Sequence, residues 1–230
     1  IAGEHTSIRV MTRKNIVSFK NTFYQMPNCA LVVAGNLKHA ALKKACAAVA
    51  SMPRNDAAAA YTPVEQRRVV AQVRMCTKDT EQSRLAVGFH ALPRNHHMRF
   101  SLKVLNIILG ANMSSRLFRE IRERRGLAYE IGSSVKFFQD AGAFCVYAGM
   151  EHQQVVAALE VIRQQLEKIV RVKVPAAELE RAREYYIGQL LLGLEDTGEH
   201  MVWLGESLLC QQTFMTPEEM VAHIEKITPE

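Results

Sequence analysis

Apolar positions along the chain alternate between a helical spacing of three and four and the shorter runs of buried strands. Thr12 precedes a segment in which Ile16, Phe19 and Phe23 share one face, which predicts a helix capped by Thr12 and broken at Pro27-Asn28. Residues 29–34 (Cys-Ala-Leu-Val-Val-Ala) read as a short buried strand closed by Gly35-Asn36. A second helical stripe follows at Leu42, Ala45, Cys46 and Val49. Residues 52–66 have the Pro, Asp and small-residue content of a connector, although their four-alanine run also suits a helical turn. Beyond them, 68–76 and 83–90 are strand candidates, with β-branched residues in rough alternation.

A helix is predicted over 98–109, with Leu102, Leu105, Ile108 and Leu109 on one face and Gly110 as its stop. The next, over 115–124, takes Ser114 or Ser115 as its cap. It turns Leu117, Phe118 and Ile121 inward and its arginines outward, and ends at Gly126. Residues 128–138 and 142–149 form a strand pair joined through the turn sequence Gln139-Asp140-Ala141-Gly142. Helices follow over 153–170, 176–194 and 198–210, the second opened by Pro175 with Glu178 and Glu180 near its positive end. Strand pairs alternating with helix pairs imply an α+β fold, a mainly antiparallel sheet covered on one face by helices.

The sequence Thr216-Pro217-Glu218-Glu219 is a capped helix start, and Thr228-Pro229-Glu230 reads as another. What should follow such a start is a helix and an apolar strand, which residues 12–34 supply at the front. The expected organisation is therefore a two-repeat protein. Residues 1–51 would close the first half as a helix-strand-helix segment, 52–66 would be the linker, and 67–230 would be the second half, truncated at its C-terminus.

Composition narrows the function classes. The chain is 48% hydrophobic and 23% charged, ordinary values for a globular protein. No apolar run reaches the roughly 18 residues a membrane-spanning helix needs, so no membrane span is expected. The first seven residues lack the basic-then-apolar pattern of a secretory signal. A net charge of +6 biases encounters towards acidic partners and is equally met by a solvated basic surface. Five scattered cysteines without a Cys-x-x-Cys pair are expected to be buried free thiols.

Candidate chemistry concentrates near residue 122. Arg122 lies one turn after Arg119 at the end of its helix, and Tyr129 stands just past Gly126 on the following strand. A planar cation and a phenol at such a junction suit gripping a peptide carbonyl or stabilising the oxyanion formed when water attacks it. Taken alone, the two are also an ordinary surface arginine and core tyrosine. Arg116, Arg119, Arg122, Arg124 and Arg125 form a basic cluster, but no aromatic platform or reading motif accompanies it, so nucleic-acid binding is not expected. None of the eight histidines belongs to a His-x-x-Glu-His sequence. The pair His96-His97, if helical, would point its rings about 100° apart. No metal or other cofactor is expected on this chain, because the tetrahedral ligand set is missing.

The block over 114–131, Ser-Ser-Arg-Leu-Phe-Arg-Glu-Ile-Arg-Glu-Arg-Arg-Gly-Leu-Ala-Tyr-Glu-Ile, resembles the second-half signature of the pitrilysin/insulinase-type zinc metalloendopeptidases, which include the mitochondrial processing peptidases. Residues 8–35 look like that family's helix followed by an apolar strand and glycine. Residues 178–183 with 194–197 resemble its later helices. The resemblance implies one of two related halves of a clam-shell peptidase that closes on an unfolded peptide. One half would hold zinc through two histidines of an H-x-x-E-H helix and a distant glutamate; the other would supply the Arg and Tyr that match Arg122 and Tyr129, to bind substrate and stabilise the transition state. The expectation is a metal-free half, inactive alone, whose partner is an H-x-x-E-H half on the same polypeptide or a separate subunit. A catalytically inert scaffold or partner subunit of the same fold is the alternative, since inactive subunits of that kind share the fold.

Overall fold

A computed structural model describes residues 3–51, 62–64, 70–211 and 214–229. The linker expected over 52–66 lies outside the described residues, apart from 62–64. In chain order the elements are α1 (His5–Arg9), α2 (Arg13–Phe23), α3 (His39–Ala45), β1 (Ser83–Ala91), α4 (Arg99–Leu109), a π-helical segment Phe118–Glu123, β2 (Glu130–Phe137), β3 (Gly142–Met150), α5 (Val155–Arg171), α6 (Ala176–Glu195), α7 (Thr197–Glu206) and α8 (Pro217–Glu225). The chain divides into two compact units, Ile1–Pro63 with Leu194–Phe214 and Val64–Gly193 with Met215–Glu230.

The first unit is helical. At the start of α2 the Thr12 hydroxyl accepts from the Asn15 N–H at 3.3 Å while Asn15 Oδ1 accepts from the Thr12 N–H at 2.9 Å, a reciprocal cap that satisfies two otherwise orphan donors. The predicted stripe is present but mostly open: Ile16 and Phe19 are exposed, and the rings of Phe19 and Phe23 pack on each other at 4.5 Å. The strand expected over 29–34 makes no ladder. A strand exists through its pairing, and no described strand pairs with these residues; the Cys29 N–H instead closes the preceding turn on the Met26 carbonyl. Asp196 caps α7, its carboxylate accepting from the N–H groups of Gly198 and Glu199.

The second unit holds the expected antiparallel sheet, ordered β1-β3-β2 with both pairings antiparallel. Across it, Leu85 and Ile131 flank Ala148, while Val87 and Ser133 flank Val146. Because side chains alternate along a strand, Phe144, Val146, Ala148 and Met150 all point to one face, where they are buried against Leu109, Leu117, Ile121, Ala158 and Ile162. Helices α4 and α5 and the π-helical segment cover that face. On the other face Ala86, Gly88, His90, Lys136 and Tyr147 are exposed. The end of α4 is pinned to β2, where Ser133 donates its N–H to the Gly110 carbonyl at 3.1 Å and its hydroxyl to Asn106 Oδ1 at 2.7 Å. At the predicted helix start, Thr216 and Glu219 form a reciprocal cap of α8, which buries Met220 and Ile224.

Two local expectations are corrected. Of the strand expected over 68–76, residues 70–76 are described and pair with nothing, and 68–69 lie outside the described residues. All five cysteines are free, yet none is in the core: Cys29 and Cys76 are exposed, and Cys46, Cys145 and Cys210 are half-buried. Cys145 sits between the buried Phe144 and Val146, so alternation turns its thiol to the open face of the sheet.

Candidate functional site

The segment carrying Arg122 is anchored at its start by Asn112. Its Oδ1 accepts from the Ser114 N–H and hydroxyl at 2.9 and 2.8 Å, and its carbonyl accepts from the Ser115 N–H at 3.2 Å. Neither serine hydroxyl caps the helix; the Asn112 turn sets its entry. Phe118–Glu123 is π-helical, with the Arg124 N–H reaching the Arg119 carbonyl at 2.9 Å, so each ring holds one residue more than the expected α-helix. Leu117 and Ile121 are wholly buried and fix the inner side. Gly126 then adopts φ of 60°, a conformation strained for any residue with a Cβ. This lets the N–H groups of Gly126 and Leu127 return to the carbonyls of Arg122 and Ile121 at 3.2 and 2.8 Å.

Arg122 emerges exposed from the end of this segment, with its guanidinium 5.0 Å from the centre of the Phe118 ring, a cation–π contact that orients it without neutralising it. Tyr129 donates its backbone N–H to the Gly149 carbonyl at 2.9 Å, while its side chain is 60% exposed. The phenol donates to Glu151 Oε1 at 3.0 Å. That bond, and the repulsion a phenolate would feel beside the carboxylate, push the Tyr129 phenol above its ordinary pKa, so it stays protonated at neutral pH. No hydrogen bond joins Arg122 to Tyr129; each is held by its own neighbour. Beside them Arg84 and Glu130, both opposite Gly149 in the sheet, form an ion pair over the space that glycine leaves.

The basic cluster is largely neutralised from within. Arg116 grips Glu178 of α6 with Nε to Oε1 at 2.8 Å and Nη2 to Oε2 at 2.5 Å. Arg124 and Arg125 both pair with Glu120. Among the described residues only Arg119 and Arg122 of the five lack an acidic partner, so the block is no continuous phosphate-binding surface. The bidentate bond to Arg116 holds the Glu178 carboxyl below the usual carboxylate range and raises the guanidinium in turn.

The sequence alone did not single out Glu151, and it marked Glu178 as a helix-start acid rather than the partner of Arg116. Counting outward from the turn closed by the Phe138 N–H to Ala141 carbonyl bond puts residue 129 opposite residue 150, one short of Glu151, so the first was within reach. Nothing local signals the second, which lies 62 residues from Arg116.

The described residues do not fit a zinc centre. Among the described residues no three His, Cys, Asp or Glu side chains gather as a metal-holding set. The His152 ring nitrogens meet the Ser83 hydroxyl and the Thr80 carbonyl, both at 2.8 Å. His96 and His97 precede α4 and stack on each other at 4.3 Å. His200 packs near Trp203. No step through a metal is therefore derived for these residues. No helix among the described residues is long and apolar enough to cross a membrane.

Comparison with known proteins agrees with this picture. The family model described as the peptidase M16 inactive domain matches residues 11–186. An uncharacterized zinc protease of Streptomyces coelicolor is 34% identical over 236 residues, covering 100% of this chain and 51% of the relative. A solved protease from Helicobacter pylori superposes with a TM-score of 0.85 at 21% identity, covering 99% of this chain and 56% of that one. A peptidase M16 inactive domain from Pseudomonas fluorescens superposes with a TM-score of 0.78 at 18% identity, covering 98% of this chain and 54% of that one. The chain thus spans about half the length of the curated relatives it matches. The sheet with one covered face, the Arg-to-Tyr block and a match over most of the sequence place this chain in the peptidase M16 inactive-domain family, part of the pitrilysin/insulinase-type zinc proteases.

Proposed function

We propose that this chain is the metal-free half of a zinc-dependent endopeptidase, gripping a peptide and stabilising the transition state while a complementing H-x-x-E-H half holds zinc and activates water. The observation that carries the reading is the presentation of two exposed donors, Arg122 and Tyr129, from one helix-to-strand junction, with the phenol kept in its donor form by Glu151. Arg122 can offer a planar pair of N–H groups to a carbonyl oxygen. Tyr129 has one hydroxyl proton and already donates it to Glu151, so to serve a developing oxyanion it exchanges that carboxylate for the substrate oxygen.

The test combines the chain with its complementing half and measures peptide cleavage and bound zinc. The isolated chain should cleave nothing and carry no stoichiometric zinc. Arg122→Ala and Tyr129→Phe should slow the combined enzyme without changing its zinc content. Unchanged turnover in both variants would leave the chain a scaffold that shapes the chamber without touching the reacting bond.

A further inference from the structure

The corner where β3 leaves the sheet carries a further group of side chains that the proposed function does not use. His152, the residue after Glu151, hydrogen-bonds through Nδ1 to the Ser83 hydroxyl and through Nε2 to the Thr80 carbonyl, both at 2.8 Å. A carbonyl oxygen only accepts, so Nε2 carries the ring proton and Nδ1 of the neutral imidazole accepts from Ser83. One ring thus bridges to chain 69 and 72 positions away. Thr80 and His152 are exposed and Ser83 is half-buried, so the bridge adds little to global stability. What it fixes is position.

Glu151 is the single residue between two held points. Before it, Met150 ends β3 opposite Ser83 with its side chain wholly buried; after it, His152 is bridged back to that same Ser83. The Glu151 carbonyl accepts from the Gln154 N–H at 3.0 Å, closing the turn that leads into α5. With its backbone set from both sides, the Glu151 carboxylate meets the Tyr129 phenol. The next residue of β1 acts beside the other member of that pair, since Arg84 forms its ion pair with Glu130, the residue after Tyr129. Ser83 and Arg84 therefore hold the chain just beyond both Glu151 and Tyr129. We propose that His152 is a positioning residue: bridged to Ser83 and Thr80, it aims the Glu151 carboxylate and, through it, the Tyr129 hydroxyl. The inference rests on the reading of Tyr129 as an oxyanion donor and adds that its aim depends on a bridge outside the reacting groups. Such a donor acts only at hydrogen-bond distance from the developing charge, and a displacement of about 1 Å can cost about a hundredfold in rate.

Nuclear magnetic resonance of the chain labelled with carbon-13 tyrosine tests the aim without any catalysis, the Tyr129 signal being assigned from Tyr129→Phe. His152→Ala should move ionisation of the phenol down towards the ordinary value of about 10, the direction expected for Glu151→Ala, and leave the urea midpoint unchanged. His152→Gln, which keeps an acceptor and an N–H donor on one planar group, should restore the parent titration. In the complemented enzyme His152→Ala should lower kcat about tenfold with KM unchanged, because what is lost is made in the transition state. On a Tyr129→Phe background the same substitution should cost nothing further. An unchanged Tyr129 titration in His152→Ala, or an equal loss of turnover with the tyrosine already removed, would overturn the proposal. Full turnover in Tyr129→Phe would instead overturn the reading of Tyr129 as a donor, and the titration would still decide whether His152 aims the phenol.

Discussion

The Tyr129 phenol donates to Glu151 at 3.0 Å just beyond the β2–β3 ladder, so the tyrosine proposed to serve the transition state is tethered by a carboxylate 22 positions along the chain. Glu151→Ala should return the phenol towards the ordinary value of about 10. The sign follows from the raised pKa: the stabilisation is fully present below the unfolded-state value and is lost as pH rises through the folded one. Ultraviolet titration of Tyr129 should show ionisation at lower pH in the variant, and an unchanged titration would mean that the hydrogen bond does not set the phenol's state.

Turnover of the complemented enzyme should fall roughly a hundredfold in Tyr129→Phe, the loss of one placed oxyanion donor worth about 3 kcal/mol. Arg122→Lys should recover only part of the loss seen in Arg122→Ala, because the ammonium keeps the charge but not the planar fork. Steady-state rates with zinc content measured alongside would separate these effects from loss of metal.

The Arg116–Glu178 pair should make stability acid-sensitive. Its side chains are 12% and 23% exposed, so Glu178→Gln leaves a mostly enclosed guanidinium without its counter-charge, at a cost of about 2 kcal/mol. Because the Glu178 carboxyl is lowered, its contribution is present above the ordinary carboxylate value and disappears as pH falls through the folded one. Urea unfolding between neutral and acid pH should show a shallower acid limb in Glu178→Gln.

Two glycines should respond in opposite directions. A Cβ on Gly110 would lie 2.6 Å from the Ser133 hydroxyl oxygen and 2.7 Å from its backbone nitrogen, so Gly110→Ala should cost about 1–3 kcal/mol by overpacking. A Cβ on Gly193, within α6, meets nothing within 4 Å, and Gly193→Ala should stabilise by about 0.5–1 kcal/mol. Thermal or urea midpoints of the two variants decide both.

Much of the fold was legible because its cues are local. The caps at Thr12 and Thr216 and the hairpin turn before Gly142 act over three or four residues, and each recurs in the structure where the sequence placed it. The errors fall where backbone needs a distant partner: residues 29–34 and 70–76 have strand composition but no ladder. The π-helical widening of Phe118–Glu123 was also hidden, since the buried spacing of Leu117 and Ile121 fits an α-helix equally well.

By itself the sequence determined most helix periods, the caps at Thr12 and Thr216, the β2–β3 hairpin and the Arg122-to-Tyr129 block, all consequences of residues close in the chain. Only the tertiary structure decided the β1-β3-β2 order, the tether from Tyr129 to Glu151, and the Arg116–Glu178 grip that removes a guanidinium from the basic cluster. The physical reason is that pairing, burial and charge neutralisation depend on distance in space, which packing of the sheet against its helices sets and separation along the chain does not.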